Sequence, residues 1–199
     1  MSVETLPDEF DKLVDLSQEA LIPISQESVD NFKDVIKQSK ENTFNEVGNA
    51  ESFFQDHEND SELVFEACCT DELVQKIRHA GMGFLKAKKS VEGQKALDLD
   101  GLIGEVIKDA VSHTPDKEKY KFIVKIIIDP KNPANYSFLV INPSSVLSKD
   151  FSEQKKDTGL GNIMKKGFAA DLGGEIRNID IMAGGKKIYH GFEFKKGEF

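Results

Sequence analysis

Cysteine is scarce. The 199 residues hold two, Cys68 and Cys69, and they are neighbours in the chain. A disulfide needs a defined Cα and Cβ geometry that adjacent residues rarely supply, so no disulfide framework is expected. No histidine or further cysteine lies near them at zinc-ligand spacing. They read as small buried thiols in a reducing compartment. The four histidines, His57, His79, His113 and His190, are scattered and form no metal motif. Long apolar runs are also missing. The longest, Phe122 to Ile128, is interrupted by Lys125, whereas a membrane span needs roughly 20 apolar residues. The opening MSVETLPDEF has neither a basic nor an apolar region of the secretory kind. No membrane span, no signal peptide and a cytoplasmic location are therefore expected. A basic surplus is lacking too: the net charge is −9. With no strongly basic patch interleaved with aromatics, nucleic-acid binding is disfavoured.

What the chain does have is enough apolar residues for a core, at 39%, and a well-solvated surface, at 31% charged. The acidity is unevenly placed. Residues 1–60 contain 15 Asp and Glu against 4 Lys and Arg, while residues 61–199 contain 20 against 22. An acidic segment of this kind is either a solvated helical face or a docking surface for a basic partner.

Residues 8–22 place Phe10, Leu13, Val14 and Leu21 on one helical face before Pro23 interrupts. A second helix is expected from near Ser28, with Val29, Phe32, Val35 and Ile36 inward. HENDSE (57–62) reads as a polar linker, which divides the chain into an acidic helical segment, 1–61, and a second domain, 62–199. In that second domain, a strand or short helix and then a helix are expected over 62–80, closed by Gly81 and Gly83, with a strand over Phe84 to Val91. The stretch 97–114 carries a continuous apolar stripe, Leu102, Ile103, Val106, Ile107, Ala110 and Val111, capped by Asp98 or Asp100. Two strands, Tyr120–Asp129 and Tyr136–Asn142, flank the turn PKNPAN and read as a β-hairpin. A polar loop and another helix follow, then two strands, Glu175–Met182 and Lys186–Lys195, around Ala183–Gly185. The order predicts an α+β protein: a two-layer α/β sandwich, with helices on one face of a mixed or antiparallel sheet, preceded by an α-helical hairpin.

Chemistry concentrates in DTGLGNIMKKGFAADLGGEI (157–176). Gly159 and Gly161 allow the backbone to approach a bound group closely. The helix they open would offer free N–H groups and partial positive charge to a phosphate. Lys155, Lys156, Lys165 and Lys166 flank the site these glycines would form. A lone G-x-G is a weak motif by itself. Upstream, Glu105, Asp109, Ala110 and His113 are spaced along one helix, and the second strand ends in 141-INPSS-145.

Taken in order, these motifs resemble the ATP-binding domain of sensor histidine kinases. That domain belongs to the GHKL superfamily, with DNA gyrase, the heat-shock-ninety chaperones and the mismatch-repair ATPases. The resemblance covers roughly residues 65–199 and is closest to kinases with Asn-Pro or Asn-Ser in the second motif. It implies that Glu105 orients or activates the reacting group. Asp109, standing where the family usually has Asn, would hold magnesium, and His113 fits the last place of that motif. Asn142 takes the position of the adenine-binding Asp, although no glycine follows it here. Thr158, Gly159, Leu160, Gly161 and Asn162 match the phosphate loop, and 143–157 would be the lid.

The implied function is signal transduction: ATP and magnesium bound, and the γ-phosphoryl group passed to a protein acceptor in trans. The mechanism would rest on positioning and charge neutralisation. A second outcome is a non-catalytic module that dimerises through residues 1–61 and docks a response-regulator-like partner. A third is phosphotransfer through His79. The interval from His79 to Glu105 is too short for an acceptor hairpin, so His79 is expected on the first helix of the domain.

Overall fold

The computed structural model describes residues 26–88, 91–114, 116–117, 119–143, 160–183 and 186–198. The elements run α1 (Gln26–Glu41), β1 (Thr43–Phe44), α2 (Val47–Asp56), β2 (Glu62–Ala67), α3 (Asp71–Ala87) and α4 (Gln94–His113). There follow β3 (Phe122–Ile128), β4 (Tyr136–Pro143), α5 (Leu160–Leu172), β5 (Glu175–Ala183) and β6 (Lys186–Lys196). The strands form one mixed sheet in the order β1-β2-β3-β4-β6-β5. Only β1 and β2 run parallel; all other neighbours are antiparallel. The α+β sandwich expected from the element order is what the chain forms. No described helix is long and apolar enough to cross a membrane.

Alternation along the strands builds two cores. Phe122, Val124 and Ile126 of β3 face the main one, with Phe138 and Val140 of β4 and Phe192 and Phe194 of β6. Helices α2 to α5 pack there through Phe53, Leu73, Leu102, Val106 and Leu172, among others. The intervening residues, Ile123, Leu139, Ile141 and Ile181, face the opposite side and meet Val35 and Ile36 of α1. Helix α1 thus covers the second face of the sheet, near β2 and β3. Every residue of β4 is buried, as expected of a strand central to the sheet and covered on both faces. The expected hairpin of β3 and β4 forms, pairing Ile123 with Ile141 through to Ile128 with Tyr136. The last two strands also pair as expected, with a register shift between Ile181 and Met182 on β5, the strand at the sheet's far edge.

Two local expectations are corrected. Gly81 and Gly83 do not end a helix, and Phe84 to Val91 is not a strand; α3 runs on to Ala87. Each helical glycine costs about 1 kcal/mol relative to Ala. Burial of Met82, Phe84 and Leu85 outweighs that cost, and Gly81 lies close against the Ile126 side chain. Helix α4 begins at Gln94, ahead of both expected caps, so neither Asp98 nor Asp100 caps it. Asp100 is turned instead to Arg78 of α3. Past Glu41 the chain turns into β1, which pairs with β2, and α2 then packs on α3. The expected helix over 8–22 lies outside the described residues.

A glycine pair closes α5. The Gly173 N–H bonds the Ala170 carbonyl at 2.9 Å, and the Gly174 N–H bonds that of Ala169 at 3.0 Å. Gly173 has φ +74°, the left-handed turn that glycine adopts without steric penalty. A Cβ on Gly174 would stand 2.5 Å from the Phe194 ring. One glycine supplies the turn and the other the close approach.

Candidate functional site

Helix α4 presents Glu105 and Asp109 one turn apart, because its apolar stripe commits the opposite face to the core. The first turn of α5 is laid against them. A Cβ built on Gly161 would stand 3.9 Å from Glu105 Oε2 and 4.0 Å from Asp109 Oδ1. The backbone of Leu160 and Asn162 lies in the same turn. Thr158, Gly159, Lys155, Lys156 and most of the lid lie outside the described residues. His113 is the last residue of α4 and is exposed.

The two acidic side chains differ in their partners. Glu105 faces Lys108, 3.5 Å away and largely exposed. Asp109 receives a hydrogen bond on Oδ2 from the Lys165 ammonium. Lys165 is only 1% exposed. Its ammonium also sits 3.5 Å from the centroid of the Phe192 ring on β6. A buried charge is tolerated when it is paired and desolvated against such partners. Sequence reading placed Lys165 only as a flanking residue. Its signal was faint: a lysine at a position whose neighbours at helical spacing, Phe168, Ala169 and Leu172, pack into the core.

Asn142, next to last in β4, lies on the face that packs under α4, sharing alternation with Phe138 and Val140. It is 1% exposed. Its Nδ2 donates to the Pro143 carbonyl at 3.1 Å. Its Oδ1 is buried and has no hydrogen-bond partner among the described residues. An unmade hydrogen bond to a buried amide oxygen costs about 1–3 kcal/mol, so such an acceptor is a place where a donor belongs. In register with Asn142 is His190 of β6, and beside it Asp180 of β5. His190 Nδ1 lies 2.5 Å from Asp180 Oδ1. His190, taken from the sequence as an isolated histidine, is therefore part of a polar row across three strands. Strand register alone brings these residues together, and the sequence gives no signal of it.

On the other flank of α4, a cavity of about 360 Å³ lies among α3, α4 and α5. Among the described residues, of those singled out from the sequence as site residues, Glu105 alone lines it. Gly101 and Gly104 form part of its wall. A Cβ on Gly101 would stand 2.7 Å from the Phe168 ring, and one on Gly104 would stand 3.0 Å from the Arg78 guanidinium. These glycines let α3 and α5 side chains lie directly on the backbone of α4. The guanidinium of Arg78 bonds Asp100 and holds its carboxyl below the usual carboxylate range.

These groups fit an adenine nucleotide at one point and a divalent cation poorly. The unpartnered Asn142 oxygen matches a donor such as an exocyclic amino group. Magnesium requires open oxygen ligands in a near-octahedral shell, whereas Asp109 already carries an ammonium. Among the described residues, no group of three or more His, Cys, Asp or Glu side chains could hold a metal ion. No protein-family model matches the chain, and no curated protein matches it either.

Proposed function

We propose that the chain is a signal-transduction protein whose domain, of the histidine-kinase ATP-binding type, takes an adenine nucleotide between α4, the end of β4 and the start of α5. The observation that carries this reading is the buried Asn142 Oδ1, which lacks a hydrogen-bond donor among the described residues. The placement of Gly161 against Glu105 and Asp109 supports it. There the free N–H groups of the α5 N-terminus would meet the phosphates.

The reading is tested by titrating the protein with ATP and with ADP while following thermal unfolding. Ligand at 100 times its dissociation constant stabilises by about 2.7 kcal/mol. Asn142→Leu keeps the volume and removes the acceptor, and should weaken binding about tenfold, the equivalent of roughly 1.4 kcal/mol. No stabilisation by millimolar nucleotide sinks the reading.

A second reading is favoured by the Asp109–Lys165 pair, which occupies the carboxylate on which phosphoryl transfer would depend. In it the fold serves as a non-catalytic module that dimerises through residues 1–61 and docks a response-regulator-like partner. Nucleotide-independent capture of such a receiver domain, with no labelled phosphate transferred from ATP, would be its signature.

A further inference from the structure

The carboxylate of Asp109 is approached from two sides and its side chain is 29% exposed. Oδ2 accepts a hydrogen bond from the Lys165 ammonium. Oδ1 faces the first turn of α5, where a Cβ on Gly161 would come to 4.0 Å. A magnesium ion binds its ligands at about 2.0–2.1 Å and retains several waters. At Oδ1 it would stand beside the Lys165 ammonium, like charge against like charge. To take Oδ2 it would have to displace that ammonium, which belongs to a residue 1% exposed and is held over the Phe192 ring at 3.5 Å. That displacement would leave a lysine charge buried without its counter-ion, the costly half of a broken buried pair.

A negative side chain beside a phosphate needs a compensating positive charge from some source. In this fold the source is already built in and tethered to the backbone. We propose that Lys165 takes the place of a divalent cation here, so that the site binds the phosphates of a nucleotide without metal. This rests on the nucleotide-binding reading above.

The arrangement has a further chemical consequence. A carboxylate with a magnesium ion carries a net positive charge, whereas a carboxylate with an ammonium is neutral. The neutral pair removes repulsion without adding attraction, so the remaining pull on phosphate comes from the N–H groups of the α5 N-terminus. Such a site gains little from a third phosphate. ATP and ADP should bind with similar affinity, and metal chelation of ATP in solution should not help.

The experiment is isothermal titration of the full chain with ATP, in magnesium and in EDTA. The proposal expects affinities within about twofold in the two buffers. Lys165→Met leaves Asp109 uncompensated, and its binding in EDTA should fall about tenfold below binding in magnesium, roughly 1.4 kcal/mol. The double variant Asp109→Asn, Lys165→Met removes both charges and should restore metal-independent binding. It also serves as the folding control, because it leaves no buried charge unpaired. Wild-type binding at least about tenfold tighter in magnesium, again roughly 1.4 kcal/mol, overturns the proposal and leaves the nucleotide reading standing. A Lys165→Met protein that binds in EDTA as the wild type does overturns it too. No binding in either buffer overturns the nucleotide reading and this proposal with it.

Discussion

Arg78 of α3 holds Asp100 of α4 through two parallel hydrogen bonds, Nε to Oδ1 at 2.8 Å and Nη2 to Oδ2 at 2.6 Å. The bidentate geometry fixes the two helices against each other at a point where α4 offers only the Gly104 backbone. The hydrogen bond from Arg78 is the main reason the Asp100 carboxyl is held below its usual range. A depressed carboxyl stabilises the fold fully above its unfolded pKa, about 3.9, and loses that contribution as pH falls through the lower folded value. The stability advantage of the wild type over Asp100→Asn should be about 1 kcal/mol near neutrality, because the pair is partly solvated. It should shrink below about pH 4. Urea denaturation from pH 3 to 7 measures it, and a difference that stays constant to pH 3 would remove Asp100 as the source.

Glycines within helices of this protein should respond to alanine in opposite directions. At Gly101 a Cβ would collide with the Phe168 ring at 2.7 Å, whereas at Gly83 there is nothing within 4 Å. Gly83→Ala should therefore stabilise by about 1 kcal/mol through helix propensity. Gly101→Ala should lose about 1–3 kcal/mol to overpacking, against which the same propensity gain offsets only part. Thermal unfolding of the two variants decides this. Equal shifts of the same sign would show that Phe168 does not rest on α4.

Gly173 makes a purely conformational prediction. Its φ is +74° and a Cβ would meet nothing within 4 Å. Gly173→Ala should cost about 1 kcal/mol from left-handed backbone strain alone, and Gly173→Asn less. An unchanged denaturation midpoint for the alanine variant would mean that α5 ends in some other way.

The two neighbouring cysteines should differ in reactivity. Cys69 is buried, and burial pushes its thiol above the ordinary range. Cys68 is partly exposed, with its thiol directed at Asn45 Oδ1, 3.3 Å away. Thiolate is the reactive form, so at neutral pH a thiol reagent should modify one of the two sites rapidly and the other only on unfolding. The sign for stability follows: an acid whose folded pKa is raised supports the fold below its unfolded pKa, about 8.5, and that support fades as pH rises beyond it. Mass mapping after a short pulse reads the outcome. Equal labelling of Cys68 and Cys69 in the folded protein would contradict it.

The sequence showed most clearly those elements whose local pattern and tertiary burial agree. The β3–β4 hairpin was legible because β-branched and aromatic runs bracket a turn of proline and asparagine. The stripe from Leu102 to Val111 was legible for the same reason. Helix α3 was misread beyond Gly81 because two glycines argue for an end, while the burial of Phe84 and Leu85 that keeps the helix going is a tertiary fact. Placement of α1 on the second face of the sheet was equally hidden, since an apolar stripe says what a helix must bury and not where. In the site, the spacing of Glu105 and Asp109 was visible on one helix. The pairing of Asp109 with Lys165 was not, since 56 residues separate them and no periodicity links a helix to one beside it. The alignment of Asn142, His190 and Asp180 comes from strand register between β4, β6 and β5. Register is set by the whole sheet, and no single segment encodes it.

The irregular outer strand β5 has a bearing on solubility. An exposed strand edge is a template onto which another chain can add itself. Along β5 the side chains of Arg177 and Asp180 are exposed, and the pairing shifts between Ile181 and Met182. Exposed charges and a local twist of this kind make such an edge a poor seed for strand-by-strand growth. The sheet is thereby protected at β5 against polymerising with its own copies.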